Sequence, residues 1–409
     1  MKRKHIVIAG VGFAGLNAYK SLPRWISRSA DITLIDQKNH FLFTPLLHEV
    51  ASASLDDMSV VEPFRDIIRP SHTFIQGFVD RIDPEKNTLY LDEKEIPYDI
   101  LVSSFGSTTN TFGIKGVDEY SFTLKTLEDA VVLRNHCIDI FEKASQIENN
   151  EERKKLLSFV IVGGGPTGVE LAGEFSELFF KTLVRKHKNI HPRDISLTLV
   201  NAGPSLLSTF PKRLQDYAEN TLRLKNVIVH NNFFVTEVQK EALLVQDGNF
   251  LDAHTIVWTA GVRAQELNLS GVEAQYQQGK IVVDPNLLVS GSHNIFAAGD
   301  MSFLENEEGG LPMTAQVAKQ QGIHIAKNIG NLIKGKELRS FSYKESGVLA
   351  SLGFLDAVAS IGKVKFMGFP AWILWRAIYL FNFSSWKKRF RVLIDWIFNA
   401  FTGRETTRL

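Results

Sequence analysis

The sequence predicts an α/β chain with two Rossmann-like dinucleotide-binding domains, the second inserted in the first, followed by a C-terminal amphipathic helical region. Three observations predict it. An apolar strand, a glycine-rich turn and a helix follow one another twice, with the turns starting at Gly10 and Gly163, 163 − 10 = 153 residues apart. A strand and acidic turn at 295–300, of the kind that would complete the first domain, come only after the second copy. From residue 363 the composition turns aromatic and basic. The expected boundaries are 1–112 and 263–338 for the two parts of the first domain, 113–262 for the inserted domain and 339–409 for the tail.

Composition bounds the rest. A chain of 409 residues holds two or three domains. With 44% hydrophobic and 22% charged residues, disordered and collagen-like classes are excluded. A net charge of +1 gives no argument for nucleic acid as a partner. The single cysteine, Cys137, excludes intrachain disulfides, CxxC zinc sites, iron–sulfur ligation and dithiol chemistry. It lies in an apolar-periodic segment, 127–140, and reads as a packed, inert thiol.

In chain order, the strand His5–Ala9 leads into Gly10-Val11-Gly12-Phe13-Ala14-Gly15 and a helix over 16–22. A second strand, 32–35, ends at Asp36. The three glycines differ in what they allow. Gly10 permits the tight turn, Gly12 leaves room for a pyrophosphate, and Gly15 lets helix and strand approach. The helix N-terminus favours the phosphate charge, and Asp36 accepts from ribose hydroxyls. The second copy is the strand 157–162, the turn Gly163-Gly164-Gly165-Pro166-Thr167-Gly168 and a helix over 169–180. Its second strand, Ser196–Val200, ends at Asn201 where the first has its acid. The stretch 257–261 reads as the exit strand of the inserted domain, and Gly299-Asp300 offers a carboxylate for a ribitol hydroxyl.

The tail is a different surface. From Lys363 to the end there are nine basic residues and two acidic ones, 9 − 2 = +7, and four of the six tryptophans: Trp372, Trp375, Trp386 and Trp396. In a basic setting these suggest a membrane–water interface. Lys388, Arg391, Asp395 and Asn399 fall on one helical stripe over 385–402, with Trp386, Phe390, Leu393, Ile397 and Ala400 opposite, broadened by Trp396 and Phe401. An upstream helix is expected over 371–381. Such helices suit a surface anchor. A homodimer contact is the alternative use, and one tail can serve both. The apolar run 366–383 contains Pro370 and Arg376, which argues against a spanning helix. The basic start, Lys2-Arg3-Lys4, imitates a secretory signal, but the strand and turn behind it give the better reading. His48 and Glu49 begin like a zinc HExxH motif, yet Ser52 stands at the second histidine, so no metal site is expected.

The order GVGFAG, ITLID, GGGPTGVE, WTAG and AAGD, then 312–322 with its Ala-Gln-x-Ala-x-Gln pattern, closely resembles the type II NADH dehydrogenases, single-chain NADH:quinone oxidoreductases of the two-dinucleotide-binding-domain flavoproteins. The resemblance includes 43–51 and the aromatic tail. It implies FAD on the first domain, NADH on the second, a membrane quinone as acceptor, and a peripheral position on the cytoplasmic face of the inner (cell) membrane, at an anionic lipid surface. It implies cofactor contacts at Phe13, Ala14, Gln37, Lys38, Thr44, Pro45, Val79, Gly106, Gly261, Ala315, Gln316 and Val317, besides the residues of both turns, Asp36, Asn201, Gly299 and Asp300. It implies catalytic roles for Glu170 at the nicotinamide step and for Gln316 and Gln320, which share a helical face, at the quinone side. Asn201 departs from the glutamate common in NADH-using members, so NADH is expected with NADPH tolerated.

Two other classes compete. A soluble NAD(P)H-dependent reductase of a ferredoxin-like protein would use the basic tail as its docking site. A non-enzymatic flavin redox sensor would show slow flavin reduction and no quinone turnover. Disulfide reductases and sulfide:quinone oxidoreductases need cysteines this chain lacks.

Overall fold

The computed structural model describes residues 3–265, 275–306, 309–383 and 385–407; Arg408 and the side chain of Phe401 lie outside the described parts. The chain forms two compact units. The first comprises Met1–Phe41, Glu62–Thr108 and Val262–Glu345, the second Leu42–Val61, Thr109–Gly261 and Ser346–Leu409.

In the first unit a parallel sheet has the strand order Ile295–Ala297, Ile100–Ser103, His5–Ala9, Asp31–Asp36, Thr73–Gln76. Ile6, Val7 and Ile8 are all buried, because a central parallel strand is covered on both faces and so reads as a continuous apolar run. The helix Phe13–Ser21 starts at the turn itself, earlier than the apolar periodicity alone suggests. The helix Ala315–Ile333 packs against it through Gly322, where a Cβ would stand 2.1 Å from the Ala14 carbonyl oxygen.

The second unit repeats this architecture. Its parallel sheet has the order Phe122–Thr123, Thr255–Trp258, Ser158–Val162, Ser196–Val200, Ile228–His230, so the strand before each glycine turn is central in its own sheet. The helix Pro166–Ser176 begins before the expected start, since Pro166 suits the first helical turn, and it runs on as a π-helical segment, Glu177–Leu183. Phe179 packs there against Phe159 and Phe175 with ring centroids 4.4 and 4.9 Å apart. Cys137 is fully buried, and burial pushes its thiol well above the ordinary range.

The tail belongs to this second unit. An antiparallel meander, Val348–Ser351, Ala357–Ile361 and Val364–Met367, leads into the helices Phe369–Asn382 and Trp386–Thr402. Among the described residues no helix is long and apolar enough to cross a membrane. The last helix docks by its polar stripe. Lys388 donates to the Met58 carbonyl, Arg391 pairs with Asp56 at 2.7 Å, Asp395 accepts from Ser59, and Asn399 donates to the Ser54 carbonyl. The opposite, apolar face therefore points outward: Trp386 is 72%, Phe390 58% and Phe398 63% exposed. Two of the four tail tryptophans do the reverse of what their setting suggests. Trp375 and Trp396 are buried, and each indole N–H donates to a glutamate.

Candidate functional site

Each unit carries one glycine turn, and the two are built alike. Gly10 and Gly163 hold φ +84° and +123°, a region L side chains rarely adopt, and a Cβ at either would meet backbone at 2.9 Å or less. A Cβ at Gly15 would stand 2.0 Å from the Gly10 carbonyl oxygen, and one at Gly168 1.9 Å from that of Gly163. Gly12 and Gly165 have no atom within 4 Å of a Cβ, so open space lies above the N-terminus of each following helix. Those cradles fit a dinucleotide pyrophosphate in both units.

In the first unit the backbone N–H groups of Val11 and Lys38 donate to Asp36 at 2.7 and 2.9 Å, fixing the carboxylate at the end of its strand. Gly299 fits between Ala14 and Ala318, with Cβ distances of 3.5 and 3.6 Å, so the acidic turn, the first fingerprint and the Ala315 helix converge. Ser107 donates to Asp300. Gln321, which the sequence pattern did not single out, is fully buried; it accepts from the Gly299 N–H at 2.7 Å and donates to Ser302. Its place one residue beyond Gln320 was the available signal. Thr314 caps the helix through the Val317 N–H, and Gln316 accepts from Tyr343 at 3.4 Å. Gln320 uses both ends of its amide on the Lys344 backbone, at 2.7 and 3.1 Å. Gln37, Lys38, Val79, Gly106 and Ala315 also lie in this unit; Thr44, Pro45 and Gly261 lie in the second.

The second unit explains Asn201. Its Nδ2 donates to the Gly203 and Ser205 carbonyls, both at 3.0 Å, and to Asn231 Oδ1 at 3.1 Å. Three acceptors converge on this position, so an amide donor fits and a carboxylate would be repelled.

Glu170 is buried in the second unit. Its Oε1 accepts from the Ser351 N–H and the Trp375 indole, each at 3.1 Å, and Oε2 lies 3.6 Å from His48 Nδ1. Burial pushes this carboxyl up to about 8 and the His48 ring down to about 4, so at neutral pH the two do not form an ion pair. Around them stand groups to which the sequence alone assigned no chemistry. Glu49 accepts from the Trp396 indole at 2.7 Å and lies 3.6 Å from Arg376, whose guanidinium sits between the Trp372 and Trp396 rings. Glu174 binds Arg404 at 2.6 Å and accepts from Ser52 at 3.3 Å; Ser52 thus occupies the failed zinc position as a hydrogen-bond donor.

Residues 4–322 match the pyridine nucleotide-disulphide oxidoreductase family, and residues 346–405 match the NDH2 C-terminal domain. A probable NADH dehydrogenase of Dictyostelium discoideum is 34% identical, with 99% of this chain and 91% of that protein covered. The type II NADH:quinone oxidoreductase Ndh of Mycobacterium tuberculosis is 32% identical over 97% of this chain and 88% of its own length. The structure of NDH2 from Plasmodium falciparum in complex with NADH superposes with a TM-score of 0.92 at 26% identity, covering 99% of this chain and 100% of that one. The two dinucleotide cradles, the docked tail and these matches lead to one conclusion: the chain belongs to the type II NADH dehydrogenases.

Proposed function

We infer that the first unit holds FAD and the second NADH, and that the chain is a non-proton-pumping NADH:quinone oxidoreductase. The observation that carries this reading is the duplicated turn, with open space above Gly12 in one unit and Gly165 in the other. When bound, FAD supplies the relay between a hydride donor and a two-electron acceptor. The chain's own residues then bind and orient. Gly10, Gly12, Phe13, Ala14, Gly15, Asp36, Gln37, Lys38, Val79, Gly106, Gly299 and Asp300 cradle the flavin nucleotide. Ala315, Gln316 and Val317 present the positive end of a 19-residue helix, which favours the anionic reduced ring. Gln316 orients the quinone side, and Gln320 supports it by holding the chain at Lys344.

Gly163, Gly165, Pro166, Thr167, Gly168 and Gly261 hold the nicotinamide coenzyme, with Asn201 shaping the loop beside its adenosine ribose. The amide of Asn201 is spent on the Gly203 and Ser205 carbonyls and brings no charge of its own to a 2′-phosphate, so NADH is the preferred coenzyme and NADPH is tolerated. Glu170 holds a proton at neutral pH within the second unit.

The outward apolar face of the last helix rests on the cytoplasmic side of the inner membrane, and exposed Lys387, Lys363 and Lys365 add attraction to anionic headgroups. A homodimer through the same tail is the competing use of that face. The test is turnover on anionic vesicles that carry quinone and a trapped pH dye. NADH oxidation should match quinone loss while the dye stays unchanged; oxidation that requires a ferredoxin-like acceptor would overturn the reading.

A further inference from the structure

One turn in the second unit breaks its own local rule. Thr111, Phe112, Gly113 and Ile114 are closed into a turn by the Ile114 N–H, which donates to the Thr111 carbonyl at 2.9 Å, and φ is +53° at Phe112 and +70° at Gly113. Positive φ at both central residues is the type I′ pattern, which favours glycine, asparagine or aspartate at the first of them. A phenylalanine there is strained, because its Cβ crowds the following carbonyl oxygen. Burial does not offset the strain, since Phe112 is 63% exposed. A bulky ring held out to solvent on a left-handed residue points to a use for the ring.

The turn is fastened to the end of the exit strand. Trp258 Nε1 donates to the Asn110 carbonyl at 2.9 Å, the Asn110 N–H donates to the Gly261 carbonyl at 3.3 Å, and the Phe112 N–H donates to Asn110 Oδ1 at 2.9 Å. The ring then lies against Gly261, where a Cβ would stand 2.9 Å from Phe112 Cζ. Neighbouring Ala260 is equally close to the glycine turn, its N 2.9 Å from a Cβ placed on Gly163. Strand order supplies a direction. Ser158–Val162 lies between Ser196–Val200, which ends at Asn201, and Thr255–Trp258, which leads to Gly261. In a dinucleotide fold the adenosine ribose sits at the end of the second strand and the pyrophosphate on the central turn, so the other half of the coenzyme runs to the opposite side of the central strand. That side carries Phe112.

We propose that Phe112 is a further coenzyme-binding residue, whose exposed ring packs against the nicotinamide ring and helps to fix its position. This rests on the reading of the second unit as the NADH domain. The aromatic face gives close contact to a planar ring and attracts the cationic, oxidised form of the nicotinamide.

Calorimetric titration of the FAD-loaded protein with NAD+ and, separately, with ADP-ribose tests this, since neither reduces the flavin and ADP-ribose lacks only the nicotinamide. Phe112→Asn should weaken NAD+ binding by about three- to tenfold and leave ADP-ribose within about twofold. Phe112→Tyr, which keeps the ring, should bind NAD+ as the native chain does. Phe112→Asn should also unfold at a Tm no lower than the native value, because asparagine suits the turn; a lower Tm would remove the strain on which the inference stands. Unchanged NAD+ affinity in Phe112→Asn would overturn the contact, and so would equal losses for both ligands, which would make the ring a support for the loop. A native chain that binds neither ligand would instead defeat the reading of the second unit as a coenzyme domain.

Discussion

Removing Arg404 should unfasten the end of the tail and change the charge of the cluster beneath it. Its Nη2 binds Glu174 at 2.6 Å, and its Nη1 donates to the Ser52 and Glu174 carbonyls at 2.9 and 3.0 Å. Arg404→Ala leaves the buried Glu174 carboxylate, among the described residues, with the Ser52 hydroxyl as its hydrogen-bond donor, and breaking a buried pair from one side costs about 3 to 5 kcal/mol. The cost should depend on pH with a definite sign. In the native chain the guanidinium holds Glu174 below the usual carboxylate range, so its contribution is present above the unfolded pKa and fades as pH falls through the folded one. In the variant, burial without its touching guanidinium raises the folded pKa against the weaker pull of Arg376 and Lys225, so the damage should grow as pH rises above about 4.3. Urea unfolding at pH 5.5 and pH 8.5, followed by the fluorescence of Trp375 and Trp396 in the same cluster, measures both terms. Glu174→Gln combined with Arg404→Ala should recover part of the loss, giving a coupling energy of about 1 to 3 kcal/mol for these touching groups. A single-variant cost below about 1 kcal/mol, equal at both pH values, would refute the buried pair.

Other expectations follow from the same geometry. Asn201→Glu should lower the affinity for both coenzymes rather than sharpen the choice of NADH, since a carboxylate there meets three acceptors; a higher NADH to NADPH ratio of kcat/KM with unchanged NADH affinity would contradict this. Phe390→Ser with Phe398→Ser should reduce flotation with anionic vesicles, and binding by the native chain should largely survive 0.5 M salt because Arg391 is already paired within the protein; loss of flotation in salt would show that charge does the work. His48, pushed down to about 4, should cost stability as pH falls from about 6.5, by about 3 kcal/mol in full, and His48→Gln should flatten that acid limb in a denaturation series. Glu170, raised to about 8, acts oppositely: stability should fall as pH rises from about 4.5 to about 8, and Glu170→Gln should remove that decline.

What the sequence made legible was local. Gly10, Gly12 and Gly15, and their counterparts at Gly163, Gly165 and Gly168, announce the turn because what each must allow is set by neighbours a few residues away. The amphipathic pattern of the last helix was equally plain, but periodicity gives two faces and does not say which one docks. The polar stripe turned inward because Ser54, Asp56, Met58 and Ser59 offer partners that only the fold brings there. Trp396 could not be sorted from Trp386 by composition, since its partner Glu49 lies 347 residues away. Glu174 and Arg404 are 230 residues apart, and no spacing rule links them. Asn201 looked like a missing acid; the three acceptors that require its amide became visible only with the loop in place.

The central claim is that one chain takes electrons from NADH and gives them to a quinone through its bound flavin, and anaerobic double-mixing stopped flow tests it most directly. The yellow absorption should bleach on mixing with NADH and return on a second mix with a short-chain quinone, each step at least as fast as steady turnover. Bleaching that persists in the presence of quinone while a ferredoxin-like protein restores the colour would contradict the account, as would flavin that NADH does not reduce on the time scale of turnover.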